Sequence, residues 1–179
     1  MLSIFGVGMY FKLVMRRPRM KLFPTFFAIV FLFSGHVYSQ QNGLSKEFSA
    51  FIAQAEAAQV KLQRGDASEY KAMWSHTDNV TLSGGFGGNI EAGWANVSKR
   101  LDWAATQYTN GTNTIERIAA SDDGRIGYLV QIERVKFKVP ATGADAIRDY
   151  RVTMIFRREK GKWVIVHRHA DSQTTKQPV

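Results

Sequence analysis

The chain has 179 residues, of which 45 % are hydrophobic and 12 % aromatic, and it contains no cysteine. This is enough material for one domain with a substantial core, and it excludes disulfides, thiol catalysis and cysteine-bound zinc. The formal charge of +9 is uneven, because five basic and no acidic residues precede position 40. The remaining 19 basic and 15 acidic residues are interleaved, a balance of +4, so we expect no nucleic-acid partner.

Residues 1–39 have the layout of a secretory signal peptide. A basic cluster precedes an apolar run at 22–33, and Val37-Tyr38-Ser39 supplies a cleavage site. We expect cleavage between Ser39 and Gln40 and an exported protein, periplasmic or secreted. A membrane anchor is the less favoured alternative, because this run is shorter than the ~20 apolar residues that span a bilayer. Residues 1–14 precede the basic cluster, which suggests an overextended start or else a long leading region.

The first half of the mature chain, residues 40–179, predicts three helices. Apolar residues recur at helical spacing over Leu44–Arg64, and Gly65 follows as a stop. A capping-box pattern over 66–69 indicates a short second helix. The third helix is predicted over Gly93–Tyr108 from its single apolar stripe. Trp103 lies well outside that stripe, so we expect it to contact a ligand cavity or a second subunit.

A short strand, Val80–Ser83, is predicted between the second and third helices. It leads into Gly84-Gly85-Phe86-Gly87-Gly88, which has four glycines around one aromatic residue. A phosphate-binding loop is disfavoured because no Lys-Ser or Lys-Thr pair follows. We therefore expect a sharp turn that lets Phe86 fold inward.

The second half predicts long strands over Thr114–Ala120, Arg125–Val139 and Ala146–Arg158, then a hairpin at Gly161 and a final strand. The apolar phase changes within the second of these strands, which predicts a bulge near Glu133–Arg134. In the third strand both phases are apolar, so we expect helices on one sheet face and the partner of a homodimer on the other. Helices followed by long bent strands indicate an α+β domain.

Three segments carry a resemblance to a known family: WSHTDNVTLSGGFGG (74–88), GWANVSKRLDWAATQY (93–108) and GKWVIVHRHAD (161–171). They resemble the SnoaL-like branch of the nuclear-transport-factor-two-like, or ketosteroid-isomerase-like, superfamily over roughly residues 44–172. The last segment is also similar to the end of the association domain of calcium/calmodulin-dependent protein kinase. The resemblance implies a cone-shaped α+β fold, with three helices from the N-terminal half packed on a strongly bent, mostly antiparallel sheet.

The final strand carries the densest group of ionisable residues. Alternation places Trp163, Ile165, His167, His169 and Asp171 on one face. We expect the polar end of this face to be the working surface, with Asp171 orienting His169 in a pocket and His167 hydrogen-bonded in its wall. No metal is expected, because two imidazoles would need a third ligand that the sequence does not place nearby.

The resemblance implies acid–base chemistry by one Asp, Glu or His of tuned pKa beside an apolar ligand. The candidate catalytic residues are His169, Asp171, Asp78 and His76, with Asp102 as a further carboxylate. The candidate ligand-binding residues are Trp74, Phe86, Trp94, Trp103, Tyr128 and His167. No cofactor is expected.

Three functions remain open at this point, because the implied fold hosts isomerases, cyclases, dehydratases and binding modules. The first is a module that binds a small, largely apolar molecule without turnover. The second is an acid–base enzyme that uses an Asp/His pair in the same pocket. The third is an assembly domain without a ligand. A buried carboxylate of raised pKa in a cavity would favour the enzyme, and a filled cone would favour assembly.

Overall fold

The computed structural model describes residues 43–172 and Lys176. In this part of the chain, three helices and six strands form an α+β domain, as predicted. The elements follow in chain order: α1 (Lys46–Leu62), α2 (Ser68–Ala72), β1 (Thr81–Ser83), β2 (Glu91–Ala92), α3 (Trp94–Ala105), β3 (Thr109–Asp122), β4 (Ile126–Lys138), β5 (Asp145–Glu159) and β6 (Lys162–Asp171).

The six strands form one curved sheet in the order β2-β1-β6-β5-β4-β3. Neighbouring strands are antiparallel except β1 and β6, which pair in parallel. The long strands β3 to β6 follow one another along the chain and are connected by short turns, so each pairs with its sequence neighbour. Consequently β1 and β6 are the two strands that bring distant parts of the sequence together at the edge of the main sheet.

The helices cover one face of the sheet. Helix α1 begins after Ser45, whose side chain accepts a hydrogen bond from the amide of Phe48 at 3.2 Å, as an N-cap residue does. The Phe48 ring is fully buried and packs against Phe156 and Trp163, with ring centroids 5.2 and 4.7 Å away. These contacts fix α1 on the sheet through aromatic packing.

Strand β4 alternates regularly between buried and outward-facing residues along its whole length. The bulge predicted near Glu133–Arg134 is therefore wrong. The pairing of β4 with β5 runs from end to end without a register shift. The buried residues alternate along the whole strand and include Gln131 and Glu133. Because Gln131 and Glu133 are polar, the apolar residues of the buried phase are interrupted there, and the apolar pattern taken alone changes from one phase to the other. The irregularities lie instead in β3, near Thr109–Thr112 and Arg117–Ala119, and in β6.

A bulge at Val166 changes which residues of β6 face the helices. Phe156 of β5 pairs with Ile165, whereas the preceding Ile155 pairs with His167, so Val166 is an extra residue. Such a bulge reverses the inward and outward phases beyond it. Arg168 and Ala170 are therefore buried with Trp163 and Ile165, and the predicted shared face of Trp163, Ile165, His167 and His169 is wrong.

One face of the sheet is turned away from the helices, and we call it the open sheet face. It carries the side chains of Ile126, Tyr128, Ile155, His167 and His169. Tyr128 pairs with Ile155, and Ile155 pairs with His167 on the next strand. Ile126, Tyr128 and Ile155 are 46, 44 and 37 % exposed. Three large apolar side chains are thus exposed together on β4 and β5.

Candidate functional site

A cavity lies between the helices and the covered face of the sheet. It measures about 530 Å³, counted with the part that is open to solvent. All three helices, the Gly84–Gly88 segment and strands β1, β4, β5 and β6 contribute to its wall. Its apolar lining comes from Leu62, Leu82, Phe86, Leu101 and Ala104. The interior of the domain is therefore not completely filled.

Two tyrosines form the polar centre of the cavity wall. The hydroxyl oxygens of Tyr108, just after α3, and Tyr150, on β5, are 3.2 Å apart. Burial, followed by the proximity of Tyr150, raises the pKa of Tyr108 far above its usual value. Burial also raises the pKa of Tyr150, against the lowering influence of Tyr108 and the Arg148 charge. Both hydroxyls are consequently protonated at neutral pH; one donates to the other, and the remaining O–H is available as a donor.

A buried ion pair forms the floor of the cavity. Arg168 donates from Nη1 to Glu133 Oε1 at 2.9 Å and from Nη2 to Oε2 at 2.8 Å. Gln59 and Gln131 each donate to Glu133 at 2.7 Å. Burial by itself would raise the pKa of Glu133, but the Arg168 charge and these hydrogen bonds outweigh it and lower the pKa. Glu133 is therefore held as a carboxylate and has no proton to exchange near neutral pH.

Two buried polar groups in the cavity wall have no hydrogen-bond partner in the part of the chain that the structure describes. These are the Tyr70 hydroxyl and Gln63 Oε1. Burial is the main cause that raises the pKa of Tyr70 to about 12. An unpaired buried polar group costs about 1–3 kcal/mol, which a water or a polar ligand atom offsets when it supplies the missing hydrogen bond.

The Gly84–Gly88 segment closes one side of the cavity, and Phe86 turns inward there as predicted. The Phe86 ring packs against Trp103 and Tyr108, with centroid distances of 5.5 and 5.1 Å. A Cβ atom on Gly85 would lie 2.4 Å from the Tyr150 ring, so only glycine allows this close approach. The segment is thus fitted directly to the tyrosine pair.

Two arginines flank Phe86 at the edge of the cavity. Arg100 lines the cavity, donates to the carbonyl oxygen of Gly87 at 2.6 Å and lies 4.2 Å from the centre of the Trp103 ring. The guanidinium of Arg148 lies 4.8 Å from the centre of the Phe86 ring. These are cation–π contacts. Neither arginine forms an ion pair with a carboxylate in the described part of the chain.

Of the six predicted ligand-binding residues, Phe86 alone is in the cavity lining. Trp103 is 41 % exposed and contacts Phe86 from outside. Trp74 is buried behind Tyr70, at a centroid distance of 6.4 Å. Trp94 stacks on His76 at 3.9 Å, away from the cavity, and Tyr128 lies on the open sheet face. A binding role for these residues elsewhere on the molecule stays a prediction.

The predicted histidines and aspartates do not line this cavity. His167 shares a 2.7 Å hydrogen bond between Nδ1 and the Thr81 hydroxyl, and burial, then the nearby His169, lowers its pKa. His169 has a 54 % exposed side chain whose Nε2 lies 3.9 Å from Asp171 Oδ2. Asp171 accepts a 2.7 Å hydrogen bond from Arg151. These three residues come together as predicted, but on the open sheet face.

The other predicted acid–base residues also lie outside the cavity lining. His76 and Asp78 are exposed. Asp102 pairs with Lys71 at 2.8 Å on the surface. Within residues 43–172 and Lys176, no group of three His, Asp or Glu side chains could hold a metal ion. In the same part of the chain, no helix has the length and the apolar character needed to cross a membrane.

Four residues that dominate the cavity were missed as site residues: Tyr108, Tyr150, Glu133 and Arg168. Tyr108 is the last residue of the segment predicted as the third helix, and strict alternation along the final strand places Arg168 on the face opposite Trp163 and Ile165, which the bulge at Val166 reverses. One signal was available for Glu133, because Gln131 and Glu133 share a phase with Leu129, Val135 and Phe137. Two polar residues within such a stripe indicate a buried polar cluster.

Comparisons with known proteins agree with this architecture. A family model described as a SnoaL-like domain matches residues 50–173. A nuclear transport factor 2-like superfamily protein from Salmonella enterica serovar Typhimurium is 14 % identical, with a TM-score of 0.63 over 73 % of this chain and 92 % of that one. A ketosteroid isomerase-like protein from Erwinia carotovora atroseptica is 15 % identical, with a TM-score of 0.61 over 74 % and 100 %. No curated protein sequence matches the chain.

Proposed function

Since the chain belongs to the SnoaL-like domain family, we propose that it binds a small, largely apolar molecule in the cavity and does not transform it. The observation that carries the proposal is the cavity itself. Leu62, Leu101, Ala104 and Phe86 give it an apolar wall, and the tyrosine pair supplies a few polar groups. Small-molecule sites typically combine these two features. A domain that serves assembly alone has no need for this unfilled space.

Binding without turnover is favoured because none of the described residues places a carboxylate poised for proton transfer in the cavity wall. A general acid or base works best with a pKa near the operating pH. The Glu133 carboxylate lines the cavity but has a lowered pKa and is paired with Arg168. Burial raises the pKa of Glu56, but this carboxylate pairs with Arg117 and lines a smaller neighbouring cavity, which measures about 210 Å³ with the part open to solvent included.

The acid–base enzyme stays as the second candidate, and one observation favours it. Tyr108 and Tyr150 present protonated hydroxyls to the cavity, and such donors stabilise negative charge that develops on a ligand oxygen. The Asp/His pair at first considered for this role lies on the open sheet face, so the tyrosines would have to carry the chemistry. In this case a retained molecule would be consumed on incubation with the protein.

The test is to identify small molecules that the purified protein retains, by native mass spectrometry followed by extraction. Ala104→Phe places a ring in the cavity and should abolish retention. Ala95→Phe on the same helix is the matched control, because Ala95 is exposed. Loss of retention in the Ala104 variant alone supports binding in this cavity. Equal retention by both variants contradicts it, and a mass change of the added compound over time favours the enzyme.

We also propose that the protein is exported. Residues 1–39, which carry the signal-peptide pattern, lie outside the described part of the chain. The support is therefore the sequence pattern of a basic cluster, an apolar run and Val37-Tyr38-Ser39. Amino-terminal sequencing of protein collected outside the cytoplasm should begin at Gln40. A start at Met1 or Met15 in exported material would contradict the proposed cleavage.

We further propose a homodimer through the open sheet face. Exposed apolar side chains grouped on one surface favour burial against a partner, and Ile126, Tyr128 and Ile155 form such a group. Sedimentation at micromolar concentration should give a dimer mass. Tyr128→Glu should yield monomers, whereas Glu91→Gln, outside this face, should not. A monomer mass for the unaltered protein would refute the dimer.

A further inference from the structure

The charges around the cavity do not balance, and the excess is positive. Four ionisable groups other than tyrosine bear on it: Glu133, Arg168, Arg100 and Arg148. The first two neutralise each other through two hydrogen bonds of 2.8 and 2.9 Å. Arg100 lines the cavity and Arg148 contacts Phe86 in its wall. A ligand in this cavity therefore meets one fully compensated ion pair and two cations that have no anionic partner among residues 43–172 and Lys176.

Arg100 is held in place without having its charge neutralised. Arg100 donates a hydrogen bond to the carbonyl oxygen of Gly87 at 2.6 Å, and its guanidinium lies over Trp103 at 4.2 Å. The acidic side chain of Glu91 borders a shallow depression together with Arg100 but forms no ion pair with it. Contacts of this kind fix the orientation of a guanidinium and leave N–H groups for an anion.

Arg148 extends the positive charge toward the tyrosine pair. Its charge lowers the pKa of Tyr150, against the larger effect of burial. The guanidinium of Arg148 contacts the Phe86 ring, Phe86 packs against Trp103, and Trp103 contacts the guanidinium of Arg100. The two cations, from α3 and β5, therefore contact the two neighbouring rings of one aromatic pair, Trp103 and Phe86.

On the basis of the binding function proposed above, we infer that the ligand is a small carboxylic acid. Its apolar part lies among Leu62, Leu101 and Ala104, and its carboxylate lies at the Phe86 edge, where Arg100 and Arg148 pair with it. Charge-assisted hydrogen bonds from a guanidinium suit the planar, two-oxygen shape of a carboxylate.

A phosphate is a poorer match for this edge. Phosphate-binding loops direct several backbone amides at the anion. In the Gly84–Gly88 segment, the amide of Gly87 instead donates to the carbonyl oxygen of Gly84 at 2.9 Å, inside its own turn. The turn therefore does not direct the Gly87 amide at a ligand, and the two guanidinium groups of Arg100 and Arg148 suit a singly charged acid.

The experiment compares acids with their neutral amides. Calorimetric titration of the purified full chain uses three matched pairs: benzoate and benzamide, phenylacetate and phenylacetamide, and hexanoate and hexanamide. We expect at least one acid to bind about tenfold or more tightly than its amide, the size expected for a charge-assisted hydrogen bond. Arg100→Met should remove that preference, and Arg148→Met should reduce it. Lys99→Met, one residue away and exposed, should leave it unchanged.

Each outcome decides between the two proposals. Equal affinity for acid and amide overturns the carboxylate inference and leaves small-molecule binding standing. An acid preference that survives in Arg100→Met and Arg148→Met, both with unchanged melting temperature, also overturns it. If no probe binds and extraction of the protein yields no acid, the carboxylate inference fails. If extraction yields a neutral molecule instead, the broader binding function still stands. If Arg100→Met does not fold, Arg148→Met and the acid–amide comparison in the unaltered protein decide the question.

Discussion

Replacing Glu133 by Gln tests the role of the buried ion pair most directly. The substitution keeps the size of the side chain but leaves Arg168, whose side chain is 10 % exposed, without an anion. At a separation of 2.8 Å and an effective dielectric constant of about 20, the attraction is about 6 kcal/mol before desolvation is subtracted. Breaking one side of such a pair typically costs about 3–5 kcal/mol. That is a large share of the ~5–15 kcal/mol that stabilises a domain.

The assay is equilibrium unfolding in urea at pH 7, followed by circular dichroism. Asp145→Asn is the matched control, because the Lys138–Asp145 pair has a similar distance of 2.9 Å but side chains that are 45 and 86 % exposed. Its loss should cost about 0–1 kcal/mol. Replacing both partners, as Glu133→Leu with Arg168→Met, should recover much of the lost stability. A Glu133→Gln variant as stable as the Asp145→Asn control would refute the reasoning.

Three further predictions follow from the same cavity. Gly85→Ala should lower the free energy of unfolding by about 1–3 kcal/mol and displace the Tyr150 ring, which lies 2.4 Å from the added carbon. Gly84→Ala is the control and should cost less, because its added carbon meets the flexible Arg100 side chain at 3.3 Å. Urea unfolding measures both variants. The Tyr70 pKa is raised to about 12, so its contribution to stability is complete below pH 10 and is lost as the pH rises toward 12. Melting temperatures between pH 9 and 12 should therefore fall less steeply in Tyr70→Phe, and identical slopes would contradict this. The pKa of Glu133 is lowered, so its effect on stability has the opposite pH dependence. Its contribution to the free energy of unfolding is present above about pH 4.5 and is lost as the pH falls further. Acid titration should therefore destabilise the unaltered protein more than Glu133→Gln.

Local patterns in the sequence were sufficient for the order and type of the main elements. The 3.6-residue spacing of Phe48, Ile52, Ala55 and Leu62 predicted α1, and these residues are buried against the sheet. The resemblance to SnoaL-like domains and the α+β class are confirmed by the family match and by the helices packed on a curved sheet. Such features depend on neighbours within one or two helical turns or strand repeats, which the sequence displays directly.

The site was harder to predict, because it depends on which way each strand residue points. One extra residue, Val166, turns Arg168 inward and His169 outward. Nothing in the alternation of that strand marks the position of the bulge, because both phases contain polar residues near its end. The histidines consequently drew attention to the open sheet face, and the cavity lies on the other side.

The sequence by itself determined the helices, the long strands, the inward turn at Phe86 and the apolar character of both sheet faces. The tertiary structure decided which polar residues are buried together. Glu133 and Arg168 are 35 positions apart, and Tyr108 and Tyr150 are 42 apart. A buried charge or hydroxyl is tolerated only when a partner meets it, and that partner is supplied by strand register and helix packing. Hydrophobic periodicity records which residues are buried, but it does not record which polar residues meet across the core.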